Sequence, residues 1–114
     1  MAKAKIPDPL ERRHLVEKEL PPDQARAIAE AYLAEDRAIE AIDFLKIAGA
    51  GDGLAELRSR AVVEGDAFLL RAVAHAQGRP PTRDDWQKLG AAASANGRER
   101  YATEARRQLE RGDE

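Results

Sequence analysis

The same helical punctuation is written three times in this chain. An alanine-rich run with helical periodicity breaks at a short polar turn, then resumes as a second helix. The turns are Glu35-Asp36-Arg37, Glu64-Gly65-Asp66 and Asn96-Gly97-Arg98, and their centres lie 29 and 32 residues apart. A period of this size in an all-helical pattern marks successive helical hairpins, each too thin to bury its apolar face alone. The chain should therefore fold as about three antiparallel helical hairpins with one extra N-terminal helix. Hairpin stacks of this kind work by offering a surface more often than by holding a catalytic centre.

Composition supports helix over sheet. Alanine fills 23 of the 114 positions, whereas Ile, Val and Thr together fill 11. Alanine loses no side-chain entropy in a helix, and β-branched residues lose some. Apolar residues at 43% and charged residues at 35% describe a soluble globular chain, long enough for one domain with one modest core. A net charge of −2 lacks the basic excess of a dedicated nucleic-acid binder. With no cysteine there is no disulfide, no thiolate catalysis and no cysteine-held metal. No apolar run approaches the roughly 18 residues that a membrane span needs, and the N-terminus carries no apolar leader. The expectation is a cytoplasmic protein.

Residues 1–7 read as a flexible tail, and 8–114 as a single domain. Asp8 is a good N-cap, with Pro9 at the first helical position and Glu11 at capping-box spacing. A leading helix over 8–20 ends at Pro21-Pro22, and its weak stripe of Leu10, Leu15, Val16 and Leu20 should lie on the first hairpin as a lid. The first hairpin spans 23–48, with Asp23 as cap. Ala25, Ile28, Ala29, Tyr32 and Leu33 form one helical face, and Ala38, Ala41, Ile42, Leu45 and Ala48 the next. Gly49-Ala50-Gly51-Asp52-Gly53 reads as a helix stop, with Asp52 capping the next helix. The second hairpin, 53–77, ends in a helix that is apolar almost all round from Ala67 to Ala76, which should place that helix centrally. The third hairpin, 82–111, is capped by Thr82 with Asp85. Its stripes are Trp86, Leu89, Gly90 and Ala93, then Tyr101, Ala102, Ala105 and Leu109.

The third hairpin resembles a tetratricopeptide repeat. Trp86-x2-Leu89-Gly90 stand as that family's Trp, Leu and Gly do on its first helix. Gly97 falls at the turn and Ala102 at the small second-helix position. The first hairpin is similar, with Ile28-Ala29-x2-Tyr32 followed by Glu40-Ala41-Ile42 and Ala48. Small residues let backbones approach, while Trp86, Tyr32 and Leu45 fill the spaces between helices. The resemblance implies a right-handed α-solenoid. The chain departs from the family's period of about 34 residues, and Arg58, Leu70, Ala93 and Arg106 stand where other residue types are usual. Generic helical hairpins of the HEAT kind remain the alternative.

No constellation identifies a reaction, so the chain is expected not to be an enzyme and to use no cofactor or metal. The glycine run at 49–53 lacks the third glycine of a dinucleotide loop and follows a helix where a strand is required. His14 and His75 lie in different helices; His14 with Glu17 is the nearest thing to a ligand pair, and a solvated histidine is the simpler reading. Glu30 with Arg26, Glu40 with Arg37, and Glu104 with Arg100 and Arg107 sit at helical pair spacing, as on a solvated charged face. The basic cluster of Arg98, Arg100, Arg106, Arg107 and Arg111 is interleaved with Glu99, Glu104 and Glu110, which argues against nucleic acid as its partner.

The family resemblance places ligands along the first helices of successive hairpins. By matching positions that concave face would present Arg26, Glu30, Leu33, Ser59, Val62, Val63, Gln87, Ala91 and Ser94. Val62 and Val63 are apolar beyond what the Leu54-Leu57-Ala61 stripe needs; they either receive a peptide or helix or touch a neighbouring hairpin. The expected function is protein–protein interaction, as an adaptor or scaffold that holds a partner segment in this groove. The alternatives are a self-associating structural subunit, monomer or homodimer, and a nucleic-acid-linked regulator using the arginine-rich end. No membrane partner is expected.

Overall fold

Several helix starts and stops follow from local backbone chemistry. The computed structural model describes residues 6–18 and 20–111. Among them are α1 (Pro9–Glu17), α2 (Pro22–Ala34), α3 (Ala38–Ile47), α4 (Gly51–Glu64), α5 (Ala67–Gln77), α6 (Arg83–Ala95) and α7 (Glu99–Arg111), with no strand among the described residues. The fold is all-α. The chain forms two compact units, residues 1–54 and 55–114, divided inside α4. Of the tail expected over 1–7, residues 1–5 lie outside the described residues, as do Glu19 and 112–114, and Pro7 is buried.

The three turns that set the sequence period share one geometry. Asp36, Gly65 and Gly97 all take left-handed backbone, with φ of 58°, 72° and 72°. In each, the next amide reaches five residues back: Arg37 to the Tyr32 carbonyl (2.9 Å), Asp66 to Ala61 (2.8 Å) and Arg98 to Ala93 (2.7 Å). The left-handed residue donates three back, to Leu33, Val62 and Ser94. This is the Schellman closure, which satisfies the carbonyls left open at a helix end. Aspartate tolerates the left-handed region better than most residues, which is why Asp36 can stand where the other turns have glycine.

Side-chain caps account for the starts of α1, α5 and α6. Asp8 accepts the Glu11 amide at 2.8 Å, and Asp66 accepts that of Leu69 at 3.0 Å. Thr82 and Asp85 close a reciprocal capping box. Two expected caps are displaced. Pro22 opens α2, so Pro21 holds the N-cap position and Asp23 lies in the first turn; proline suits that position because its missing N–H would be unpaired there anyway. Likewise α4 begins at Gly51, so Asp52 is already helical and only Gly49 of the glycine run is left-handed. The leading helix is also shorter than 8–20, ending at Glu17.

In the first unit α2 packs on α3 through Ala25, Ala29 and Ala41, with Tyr32 stacked on Phe44 at 5.7 Å between ring centroids. Helix α1 contacts α3, and Leu15, Val16 and Leu20 of the expected stripe are half-buried, whereas Leu10 is 69% exposed and no residue within α1 is fully buried. Arg12 adds a polar anchor, donating from Nη2 to the Glu40 carbonyl and to Asp43 Oδ2, both at 3.0 Å, with its guanidinium near the Tyr32 and Phe44 rings.

In the second unit α6 and α7 form a close hairpin, and α5 contacts α7. Gly90 allows the α6–α7 approach: a Cβ there would stand 3.1 Å from that of Ala105. Arg71 of α5 pairs with Glu104 of α7, so Glu104 serves a bond between helices where the sequence spacing points to partners on its own helix. The residue past the end of α4, Gly65, lies against the α6 backbone at Ala93, and Arg58 of α4 meets Asp85 of α6. The two contacts run in the same order along both helices, so α4 and α6 are parallel neighbours. Helix α5 is not apolar on all sides: Ala67, Leu69, Leu70, Val73 and Ala74 are buried, but Phe68 is 61% exposed, on the face it shares with Arg71 and His75.

Stability measurements test this packing. Gly97→Ala should lower stability by about 1–2 kcal/mol, the cost of left-handed backbone for an L-residue, since open space surrounds its Cβ position. Gly65→Ala should cost clearly more, because its Cβ would stand 2.4 Å from the Ala93 nitrogen; equal losses in urea unfolding would contradict this geometry. Trp86→Ala, which empties a buried site, should lose about 3–5 kcal/mol by the same measurement.

Candidate partner-binding surface

The nine residues expected on a binding face fall into three groups. Arg26, Glu30 and Leu33 lie on α2 in the first unit. Arg26 is engaged by two carboxylates: its guanidinium donates to both oxygens of Asp52, at 3.2 and 3.0 Å, and stands 3.5 Å from Glu30. The Arg26 hydrogen bond, then the Gly53 amide, holds the Asp52 carboxyl below the usual carboxylate range. Leu33 is half-buried.

Ser59, Val62 and Val63 lie on α4 in the second unit and share an open groove with Asp84, Asp85 and Lys88 of α6. Val63 is 74% exposed, so no helix of the described residues covers it. Lys88 pairs with Asp84 at 3.0 Å on the exposed side of α6. The groove thus offers an aliphatic wall, one hydroxyl and a charged pair of both signs. Gln87, Ala91 and Ser94 line a different groove, between α6 and α7, whose floor is Trp86, Gly90 and Ala105. Helix α6 therefore divides the second unit's six predicted residues between its two sides.

Arg58 builds the first of these grooves. Its Nη1 donates to Gln77 Oε1 (2.9 Å) and the Arg79 carbonyl (2.8 Å). Its Nη2 donates to the Pro80 carbonyl (3.1 Å) and Asp85 Oδ2 (2.8 Å). One side chain thus ties α4 to the end of α5, the following loop and the start of α6. The same Asp85 oxygen also accepts the Thr82 amide at 2.9 Å. The sequence marks Arg58 only as a residue out of place in a repeat. A guanidinium fits here because its planar fork can serve several acceptors at once.

Burial pushes the Asp85 carboxyl up, but the Thr82 amide and Arg58 outweigh it and hold Asp85 below its ordinary range. Such a group stabilises the fold fully above its unfolded pKa, and that contribution is lost as pH falls through the folded value.

His14 and His75 are both exposed, and no group of three acidic or histidine side chains among the described residues could hold a metal ion. No helix among the described residues is long and apolar enough to cross a membrane. Comparison with protein-family models, with curated proteins and with solved structures gives no match.

The Asp85 network has a testable pH signature. Thermal stability of the wild-type chain should fall more steeply than that of Asp85→Asn between about pH 5 and about pH 3, a window that extends below the unfolded Asp value near 3.9. Parallel curves for the two proteins would remove Asp85 from the acid response.

Proposed function

We propose that this chain is a non-enzymatic protein–protein interaction module of tetratricopeptide-like type. In this reading the groove between α4 and α6 receives a peptide or helix of a partner protein. Any right-handed stacking of the hairpins rests on the sequence resemblance. The observation that carries the proposal is Val63. It is a large aliphatic side chain left 74% exposed beside Val62, in an open groove whose walls are fixed by Arg58. Single exposed apolar residues are ordinary; one lining a groove with polar groups at its margin matches the layout of segment-binding sites. Parallel α4 and α6 give the groove a length along which a segment can lie.

The wild-type chain and Val63→Glu should have the same unfolding free energy within about 0.5 kcal/mol, as for a surface change. A partner recovered by affinity capture with the wild-type chain should be lost with Val63→Glu. Retention of that partner by the variant would move the binding site elsewhere. A wild-type chain that recovers no partner but forms a dimer broken by Val63→Glu in sedimentation would make the groove a self-association surface.

A further inference from the structure

The chain's only asparagine stands directly before a glycine, in the turn between α6 and α7. Asn96 caps α6, and Gly97 takes the left-handed position with φ of 72°. An asparagine side chain ends in a carbonyl carbon that the amide nitrogen of the next residue can reach, closing a small ring. A glycine in that next position has no side chain to crowd the approach. The surroundings are open as well. Gly65 is buried at its turn, whereas around Gly97 no neighbour lies within 4 Å of the place a Cβ would take. Every residue from Ser94 to Arg100 is exposed, so water reaches both sides of the Asn96–Gly97 bond.

In the closed turn the two reacting atoms are held apart. Asn96 has ψ of 6°, which directs the Gly97 nitrogen away from the Asn96 side chain, and ring closure needs rotation about that bond. The ties on the reacting groups themselves are long. The Gly97 amide donates to the Ser94 carbonyl at 3.2 Å, and the Asn96 carboxamide donates to the Glu64 carbonyl at 3.4 Å. The shorter tie comes one residue later, where the Arg98 amide meets the Ala93 carbonyl at 2.7 Å. Exposed turns held by a few backbone bonds open locally at much lower free energy than the whole fold.

We propose that Asn96 is a site of spontaneous covalent modification, deamidated through its own backbone, and that closure of the α6–α7 turn sets the rate. The Gly97 amide gives its proton to solvent base, and its nitrogen attacks Asn96 Cγ. A new C–N bond forms, the carboxamide C–N bond breaks, and the leaving nitrogen takes a proton from solvent and departs as ammonia. Water then opens the cyclic imide. Cleavage between the ring nitrogen and Cγ leaves aspartate; cleavage between that nitrogen and the backbone carbonyl carbon leaves isoaspartate. The net change consumes one water and releases one ammonia. Isoaspartate lengthens the backbone by a methylene, so the Arg98 amide no longer falls under the Ala93 carbonyl. Aspartate keeps the length, but sets an anion at the negative end of the α6 dipole and an acceptor where the carboxamide donated to Glu64. Either product weakens the closure that had protected the asparagine, and the change runs one way. The inference stands apart from whatever the α4–α6 groove receives.

The test incubates the wild-type chain in mildly alkaline buffer, folded or in guanidinium chloride, and follows the tryptic fragment Leu89–Arg98 by mass spectrometry. Asn96 holds the only carboxamide side chain in that fragment. The fragment should gain the mass of OH in place of NH2, and chromatography should resolve its aspartate and isoaspartate forms. The folded chain should react at least about tenfold more slowly than the unfolded one, since the turn must first open. The modified folded chain should unfold at lower denaturant than the fresh chain. Equal rates for folded and unfolded chains would overturn the proposal, as would a folded chain that yields no product while the unfolded chain reacts to completion. A modified chain as stable as the fresh one would overturn it too.

Discussion

A helix that must reverse within three residues has to satisfy its own terminal carbonyls before the chain leaves. In this protein that backbone constraint is met the same way at Asp36, Gly65 and Gly97, each left-handed and each followed by an amide that reaches five residues back. The rest of each hairpin depends on it. The reversal fixes where the next helix starts and which of its faces meets the previous one. At Gly65 the constraint is tighter, because the turn also lies against the backbone of α6. That turn joins the end of one helix to the side of another, and it sets the alignment of α4 with α6.

Between the turns, two arginines do what larger apolar side chains do in other helical proteins. Alanine-rich helices approach closely but bury little area each, so the attachment of peripheral pieces falls to long side chains with many donors. Arg12 fastens α1 to the first hairpin, and Arg58 fastens the α5–α6 loop to α4. Both bury an aliphatic stem and direct their donors to backbone carbonyls and carboxylates, which is how a charged side chain contributes to packing without being stranded. Val63 is exposed beside the frame that Arg58 holds.

Helix positions were legible in the sequence because periodicity and caps are local. Thr82 with Asp85, Asp8 with Glu11, and the three turns all read directly, and Tyr32, Leu45, Trp86 and Leu89 are buried as their stripes imply. The illegible part depends on which face of a helix meets which neighbour. Helix α5 looks apolar all round, but Phe68 falls on the same side as Arg71 and His75, a pattern that could have marked it as outward. Asp23 and Asp52 have the chemistry of caps, but neighbouring Pro22 and Gly51 start the helices first. Arg12 carried no signal at all, since an arginine in a charged helix has no sequence mark of its aromatic receptors some thirty residues on. Of the candidate site, the sequence identified Val62 and Val63 as surplus to the core stripe, and it held no hint that α6 separates Ser59 from Gln87.

An alanine core also changes which mutations matter. Ala25, Ala29, Ala41, Ala61, Ala93 and Ala105 have no exposed surface. A core of leucines is damaged by losing atoms; at these positions there is almost nothing to lose, and the damage comes from gaining them. Tolerance is therefore one-sided. Substitutions that count as mild elsewhere, a valine or a leucine for an alanine, are the ones this architecture is least able to accept, whereas its long polar side chains can vary freely wherever they face water. Over evolutionary time such a chain would keep its small residues and drift in its charges, and its surface chemistry could diverge far while the spacing between its helices stayed the same.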